Sequence, residues 1–254
     1  MAKRTSGQFW AGTSGLVLPV PNKAAFPEGF RDQPRLTYYA SLFNSLEINS
    51  SFYKVPMPAT FEKWAATVPE DFQFTVKLGR HITHEKDFVF NPIDIDNFMA
   101  AANRLGTKKG CLLIQLPPGI HNSKQNTEYL EVLLGRILQS DPTHSWKLAV
   151  EFRHSSWYKK GIYHLLDAFW ASIVLQDMPA SAIATPNDNG FIYIRFHGPA
   201  GDYKGGYAAD YLQAYAKRMN GWLTEGKDVY VYFNNTIGDA VVNLKDLMEL
   251  INKT

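Results

Sequence analysis

Eight short apolar segments recur along this chain with helical patterns between most of them, and along nearly every segment apolar and polar side chains alternate. The segments read as strands at residues 8–13, 45–49, 72–77, 111–116, 148–152, 173–177, 191–196 and 229–233. Between them Ile95, Phe98, Met99, Ala102 and Leu105 keep helical spacing, as do Leu130, Leu133, Leu134 and Ile137, and Leu212, Tyr215, Ala216, Met219 and Leu223. Pro58 stands where a first helical turn accepts it, ahead of Phe61, Trp64 and Ala65. Strands alternating with helices imply a parallel sheet. Units of this kind closing on themselves make a TIM-like (β/α)8 barrel of about 250 residues. The 254 residues fit one such α/β domain over 1–254, with no linker or low-complexity run to divide it. An open doubly wound sheet is the alternative, weakened because no glycine-rich phosphate loop follows the first segment. Between the sixth and seventh strands, MPASAIATPNDNG at 178–190 leaves little room for a helix, so an irregular crossover is expected there.

Alternation carries more than the fold. Successive side chains of a strand point to opposite faces, and in a barrel one face meets the helices and the other the interior. Leu46 and Ile48 alternate with Glu47 and Asn49, and Phe74 and Val76 with Thr75 and Lys77. Val150 and Phe152 alternate with Glu151 and Arg153, Ile194 and Phe196 with Arg195 and His197, and Val231 and Phe233 with Tyr232 and Asn234. Gln115 shares the parity of Leu113, and Asp177 ends the sixth strand. The apolar set faces the helices. The polar set therefore faces inward and gathers at the C-terminal strand tips, where barrel enzymes keep their chemistry.

Composition narrows the partners. A formal net charge of +2 gives no basic footprint for nucleic acid. The single cysteine, Cys111, permits no intrachain disulfide and reads as a small buried hydrophobe. No signal peptide or membrane span is read, so a cytoplasmic setting is expected.

The candidate catalytic groups are Glu47, Lys77, Glu151, Asp177 and His197. Carboxylates sharing a pocket serve as acid and base when their environments differ; the competing reading is an internal ion-pair network with Lys77, Arg153 and Arg195. Those cations, with Arg80 nearby, suit an anionic substrate. Thr13 and Ser14 in AGTSG could add an anion site through backbone N–H groups. His84 follows the third strand, and Glu47, Asp177 and His197 could together hold a divalent metal, although no tight ligand motif is present. HGPAGDYKGGY after the seventh strand reads as a lid or clamp carrying Tyr203 and Tyr207. Trp157 could stack on a ring or cap the barrel.

Several segments taken together resemble the YecE-like family, also called domain of unknown function 72. They are GTSG at 12–15, FNSLEINSSFY at 43–53, FTVKLGRHITH at 74–84, LIQLPP at 113–118, AVEFRHSSW at 149–157, LQDMP at 175–179, YIRFHGP at 193–199 and DVYVYFNNT at 228–236. The resemblance implies a TIM-barrel-like fold and no settled activity. By matching residue it carries Glu47, Asn49, Lys77, Gln115, Glu151, Arg153, His154, Trp157, Asp177, Arg195, His197, Tyr207, Asn234 and Asn235 as site residues. Where the family follows its first motif with an aromatic-rich stretch, this chain has Leu16, Val17 and Leu18.

Three functions fit these residues. The first is an acid/base enzyme without a redox cofactor, a hydrolase, lyase or isomerase acting on a small polar anion. Glu47 or Glu151 would be its base, His197 a second acid/base, and Lys77 with the arginines its anion holders. The second is a binding or sensing protein using the same pocket, and the third a metal-dependent phosphoesterase or nuclease.

Overall fold

The computed structural model describes residues 6–179, 184–187 and 189–252. The barrel strands are β1 (Phe9–Thr13), β2 (Ser45–Ile48), β3 (Gln73–Lys77), β4 (Lys109–Leu116), β5 (Lys147–Phe152), β6 (Ala171–Gln176), β7 (Phe191–Phe196) and β9 (Asp228–Phe233). Two-residue strands β8 (Lys204–Gly205) and β10 (Ile237–Gly238) pair outside the barrel. The helices are α1 (Arg35–Ala40), α2 (Ser50–Tyr53), α3 (Pro58–Thr67), α4 (Arg80–Thr83), α5 (Pro92–Ala102), α6 (Lys124–Ser140), α7 (Lys160–Ala168), α8 (Ala209–Thr224) and α9 (Ala240–Asn252). Pro58 occupies the first turn of α3 as expected. Among the described residues no helix is long and apolar enough to cross a membrane.

All eight barrel strands run parallel in the order β1-β9-β7-β6-β5-β4-β3-β2, so the fold is the expected TIM-like α/β barrel. Its seam lies between β2 and β1. There the ladder reduces to one bridge, Ser14 to Glu47, with Gly15 N–H donating to the Glu47 carbonyl at 2.8 Å. Side chains stand in for the missing bonds. The Asn44 amide donates to the Phe9 carbonyl at 2.8 Å and accepts from Ala11 N–H at 2.9 Å, and the Tyr39 hydroxyl accepts from Thr13 N–H at 2.7 Å. Gly12 is required at this seam, because a Cβ there would lie 2.1 Å from the Ser45 carbonyl oxygen. Gly12→Ala is therefore expected to cost about 1–3 kcal/mol by overpacking. A urea midpoint unchanged from the parent would contradict this account of the closure.

The interior is graded along the barrel axis. Trp10, Cys111, Leu113, Ala149, Val174, Phe191, Tyr193, Tyr230 and Tyr232 form a buried apolar plug distinct from the sheet–helix core. Trp10 and Tyr230 stack with centroids 6.2 Å apart, and Tyr193 packs on Tyr232 at 5.3 Å. Charged side chains succeed this plug toward the C-terminal strand ends.

The crossover from β6 to β7 has no helix among its described residues; Ala180–Ile183 and Asp188 of that stretch lie outside them. Asn187 ties it down, accepting from Ile173 N–H at 2.9 Å and donating to the Ala171 carbonyl at 2.8 Å.

Candidate active site at the barrel mouth

Strand parity delivers Glu47, Glu151, Arg195 and His197 to one place, all essentially without solvent contact. Arg195 lies between the two carboxylates. Its Nε and Nη2 donate to Glu47 at 3.0 and 2.8 Å, and its Nη1 donates to Glu151 at 2.6 Å. Glu47 also accepts from the Tyr193 hydroxyl at 2.5 Å and from the Ser14 hydroxyl. Glu151 is completed by Arg153 Nε. Burial alone would raise the Glu151 carboxyl, but Arg153 and Arg195 outweigh it and hold it well below the ordinary carboxylate range. Both carboxylates are thus acceptors in the internal ion-pair network that the sequence offered as the competing reading.

His197 is fixed by the same guanidinium groups. Its Nε2 faces Arg153 Nη2 at 3.0 Å and Arg195 Nη1 at 3.3 Å, both donors only. Nε2 must accept, so Nδ1 carries the proton and donates to Asp177 at 3.2 Å. Burial, only partly opposed by the bond to Asp177, lowers the pKa of this imidazole. Asp177 also accepts from His197 N–H at 2.8 Å and from the Tyr207 hydroxyl. His197 and Asp177 therefore brace the end of β7. Arg195 bonds Glu47 on one side and meets His197 on the other, so the expected Glu47, Asp177 and His197 metal trio is not assembled. Among the described residues no three His, Cys, Asp or Glu side chains are grouped to hold a metal.

Above this network opens a cavity of about 180 Å³ lined by Asn49, Phe52, Tyr53, Lys77, Gln115, Arg153, Arg195, Tyr203 and Asn234. Seven of the nine were expected from the sequence. Phe52 and Tyr53, on α2 just past β2, were missed as site residues although they lie inside the FNSLEINSSFY match. Tyr193 was also missed; it shares the inward parity of Arg195 one register deeper. Lys77 Nζ sits 4.0 Å from the centre of the Phe52 ring, and among the described residues it makes no ion pair. Burial and the nearby Arg195 lower its pKa to about 8. His84 at the rim is lowered to about 4, chiefly by burial and then by Lys77. Gln115 Nε2 lies 3.5 Å from His84 Nε2.

A desolvated ammonium costs stability, so Lys77→Met is expected to stabilise the fold by about 1–2 kcal/mol at pH 7. The gain should shrink as pH rises from about 8 and vanish above the ordinary lysine value of 10.5, where Lys77 is neutral folded and unfolded alike. Urea titrations of both proteins at pH 7 and above 10 would check this, and destabilisation at pH 7 would refute it.

Thr13, Ser14, Arg80, His154, Trp157, Tyr207 and Asn235 lie outside the lining of this cavity. Thr13 points to the helical side, bonded to the Gly15 carbonyl and beside the Tyr39 hydroxyl. The N–H groups of Thr13, Ser14 and Gly15 are all engaged, so the AGTSG loop offers no anion nest. Ser14 donates into Glu47 and accepts from Asn49 at 2.6 Å. Trp157 is fully buried, stacked on Phe152 at 4.7 Å with its Nε1 donating to the Ile120 carbonyl. His154 caps Ser155–Trp157 and meets the edge of His121, away from the cavity. Asn235 anchors the Gly205 carbonyl at 2.9 Å, and the Tyr207 ring packs on Phe196. Arg80 is exposed at the start of α4, outside the cavity lining. The expected lid is pinned: β8 pairs with β10, and Tyr203 N–H donates to the His197 carbonyl at 2.6 Å. Leu16 lines a separate apolar cavity at the seam with Leu36, Leu46 and Trp64.

Comparison with known proteins agrees with this architecture. UPF0759 protein YunF of Bacillus subtilis is 28% identical over 275 residues, covering 94% of each chain. UPF0759 protein YecE of Escherichia coli K12 is 26% identical over 128 residues, 50% of this chain and 44% of that protein. A crystal structure of a DUF72 family protein from Enterococcus faecalis V583 superposes with a TM-score of 0.79 at 20% identity, covering 96% of each chain, a likeness of fold. The family model described as "Protein of unknown function DUF72" matches residues 10–254, and the chain belongs to that family.

Proposed function

We propose that the barrel mouth binds a small polar anion and acts on it by proton transfer, as a hydrolase, lyase or isomerase without a redox cofactor, with Lys77 as the acid/base group. The supporting observation is the cavity lining: Lys77, Arg153 and Arg195 reach it, and among the described residues no carboxylate does. The acids lie beneath: Arg195 spends its five N–H groups on Glu47, Glu151, Ser14 and His197, while Arg153, bonded to Glu151, Met178 and His197, keeps N–H groups to face a ligand. Arginine suits planar carboxylate and phosphate oxygens, and Asn49, Gln115 and Asn234 add neutral polar contacts. A lysine titrating near 8 is poised to exchange a proton at physiological pH, whereas Glu151 below it, held under the ordinary carboxylate range by Arg153 and Arg195, is not. A cytoplasmic setting, where a buried thiol such as Cys111 stays reduced, accords with the reading.

The test is a low-salt unfolding screen with inorganic phosphate and small carboxylates, followed by activity assays on those that bind. A ligand at one hundred times its Kd should stabilise the fold by about 2.7 kcal/mol. Lys77→Met should then lower turnover by about 100-fold or more while leaving the fold intact. Absence of any anion-dependent shift would remove the reading. Tight binding without conversion, unaltered by Lys77→Met, would turn it into a binding protein.

A further inference from the structure

We propose that Lys77 condenses with the carbonyl carbon of a small α-keto carboxylate, forming an imine while Arg153 holds the carboxylate. This rests on the anion pocket described above. Among the side chains lining the cavity, Lys77 alone carries an amine nitrogen; guanidinium nitrogens stay protonated and side-chain amides are not nucleophilic. Burial and the two guanidinium groups that share its cavity free that amine, and no carboxylate is ion-paired with it among the described residues; the Phe52 ring face at 4.0 Å opposes them by favouring the ammonium. Desolvation and neighbouring cations are the two means by which proteins make a lysine nucleophilic. The charged groups around it are Arg195, Arg153, Glu151, Glu47 and, at the rim, His84. The two glutamates pull toward the ammonium, but each is already bonded to arginine. With a pKa of about 8, roughly a tenth of Lys77 is neutral at pH 7.

The step balances without a further reagent. The neutral Nζ lone pair adds to the ketone carbon, and the carbonyl π pair moves to oxygen, which takes a proton. Nitrogen then releases a proton and the hydroxyl leaves as water, giving the C=N bond. The protonated imine withdraws electrons from the adjacent bond, as a lyase or isomerase of this class requires. A cavity of about 180 Å³ suits a ligand of a few heavy atoms.

Reduction traps the adduct. The full chain is incubated at pH 7 with glyoxylate, pyruvate or α-ketobutyrate and sodium cyanoborohydride, then mapped by peptide mass spectrometry. The expected result is one reduced keto-acid group at Lys77, at about tenfold or more over any other lysine, and suppressed by inorganic phosphate. Lys77→Arg, which keeps the charge, should lose the adduct. No preferential adduct at Lys77 with any of the three acids, while phosphate still shifts unfolding, overturns the imine and leaves the anion pocket standing. Loss of the phosphate shift in the parent chain as well overturns the pocket reading itself.

Discussion

Arg195→Met should unfold at a much lower urea concentration than the parent, with a loss of about 3–5 kcal/mol. Arg195 is 1% exposed and compensates two fully buried carboxylates, Glu47 and Glu151. Removing it leaves Arg153 as the remaining guanidinium on Glu151, and leaves Glu47 only the hydroxyls of Tyr193 and Ser14. An uncompensated carboxylate in that setting either pays its desolvation or takes up a proton, and both lower stability at pH 7. Restoring balance should recover most of the loss. The double variant Glu47→Gln, Arg195→Met removes one charge of each sign and leaves Glu151 paired with Arg153, and buried ion pairs are replaceable by neutral groups at little net cost. A loss below about 1 kcal/mol for Arg195→Met alone would mean that the buried network is not what sets the barrel mouth.

Acid should destabilise the fold in two stages, by about 3–5 kcal/mol in total between pH 7 and pH 3. In the folded chain His84 is lowered to about 4 and His197 is also lowered from the ordinary 6.5, both chiefly by burial. As pH drops below 6.5 the unfolded chain binds protons that the folded chain refuses. Stability is therefore full above about pH 7 and falls toward pH 4. His84 is only half-buried, so solvent screening reduces its part to about 1–2 kcal/mol. The second stage belongs to Glu151, whose carboxyl is held below its ordinary 4.5. Its contribution is present above that value and is lost as the unfolded chain protonates beneath it. Urea midpoints measured at intervals from pH 8 to pH 3 would display both limbs, and His84→Asn should flatten the first. A profile without slope between pH 7 and pH 5 would show that neither imidazole is held neutral.

Much of the fold was readable before any coordinates. Eight strands in sequence, helices between them and inward parity at Glu47, Lys77, Glu151 and Arg195 all follow from a period of two set against one of 3.6. Parity reads a side chain's face only while the backbone stays extended. Asp177 lies just past the end of β6, and Trp157 sits in a 3-10 turn, so alternation could not place either. Thr13 escaped for a different reason: β1 lacks polar and apolar alternation, and its outward face is occupied by the seam-closing Tyr39.

Sequence periodicity by itself determined which residues enter the barrel, because a strand's pleat sorts neighbours to opposite faces whatever the rest of the chain does. Tertiary structure decided their depth and partners. Glu47 on β2 and Glu151 on β5 are separated by two intervening strands, and only curvature and closure of the sheet let one long guanidinium side chain from β7 lie between them. That placement neutralised the acids, turned His197 and Asp177 into braces, and left Lys77 as the amine facing the cavity. Depth in a closed barrel depends on strand stagger and side-chain reach together, and neither is written in the alternation of a single strand.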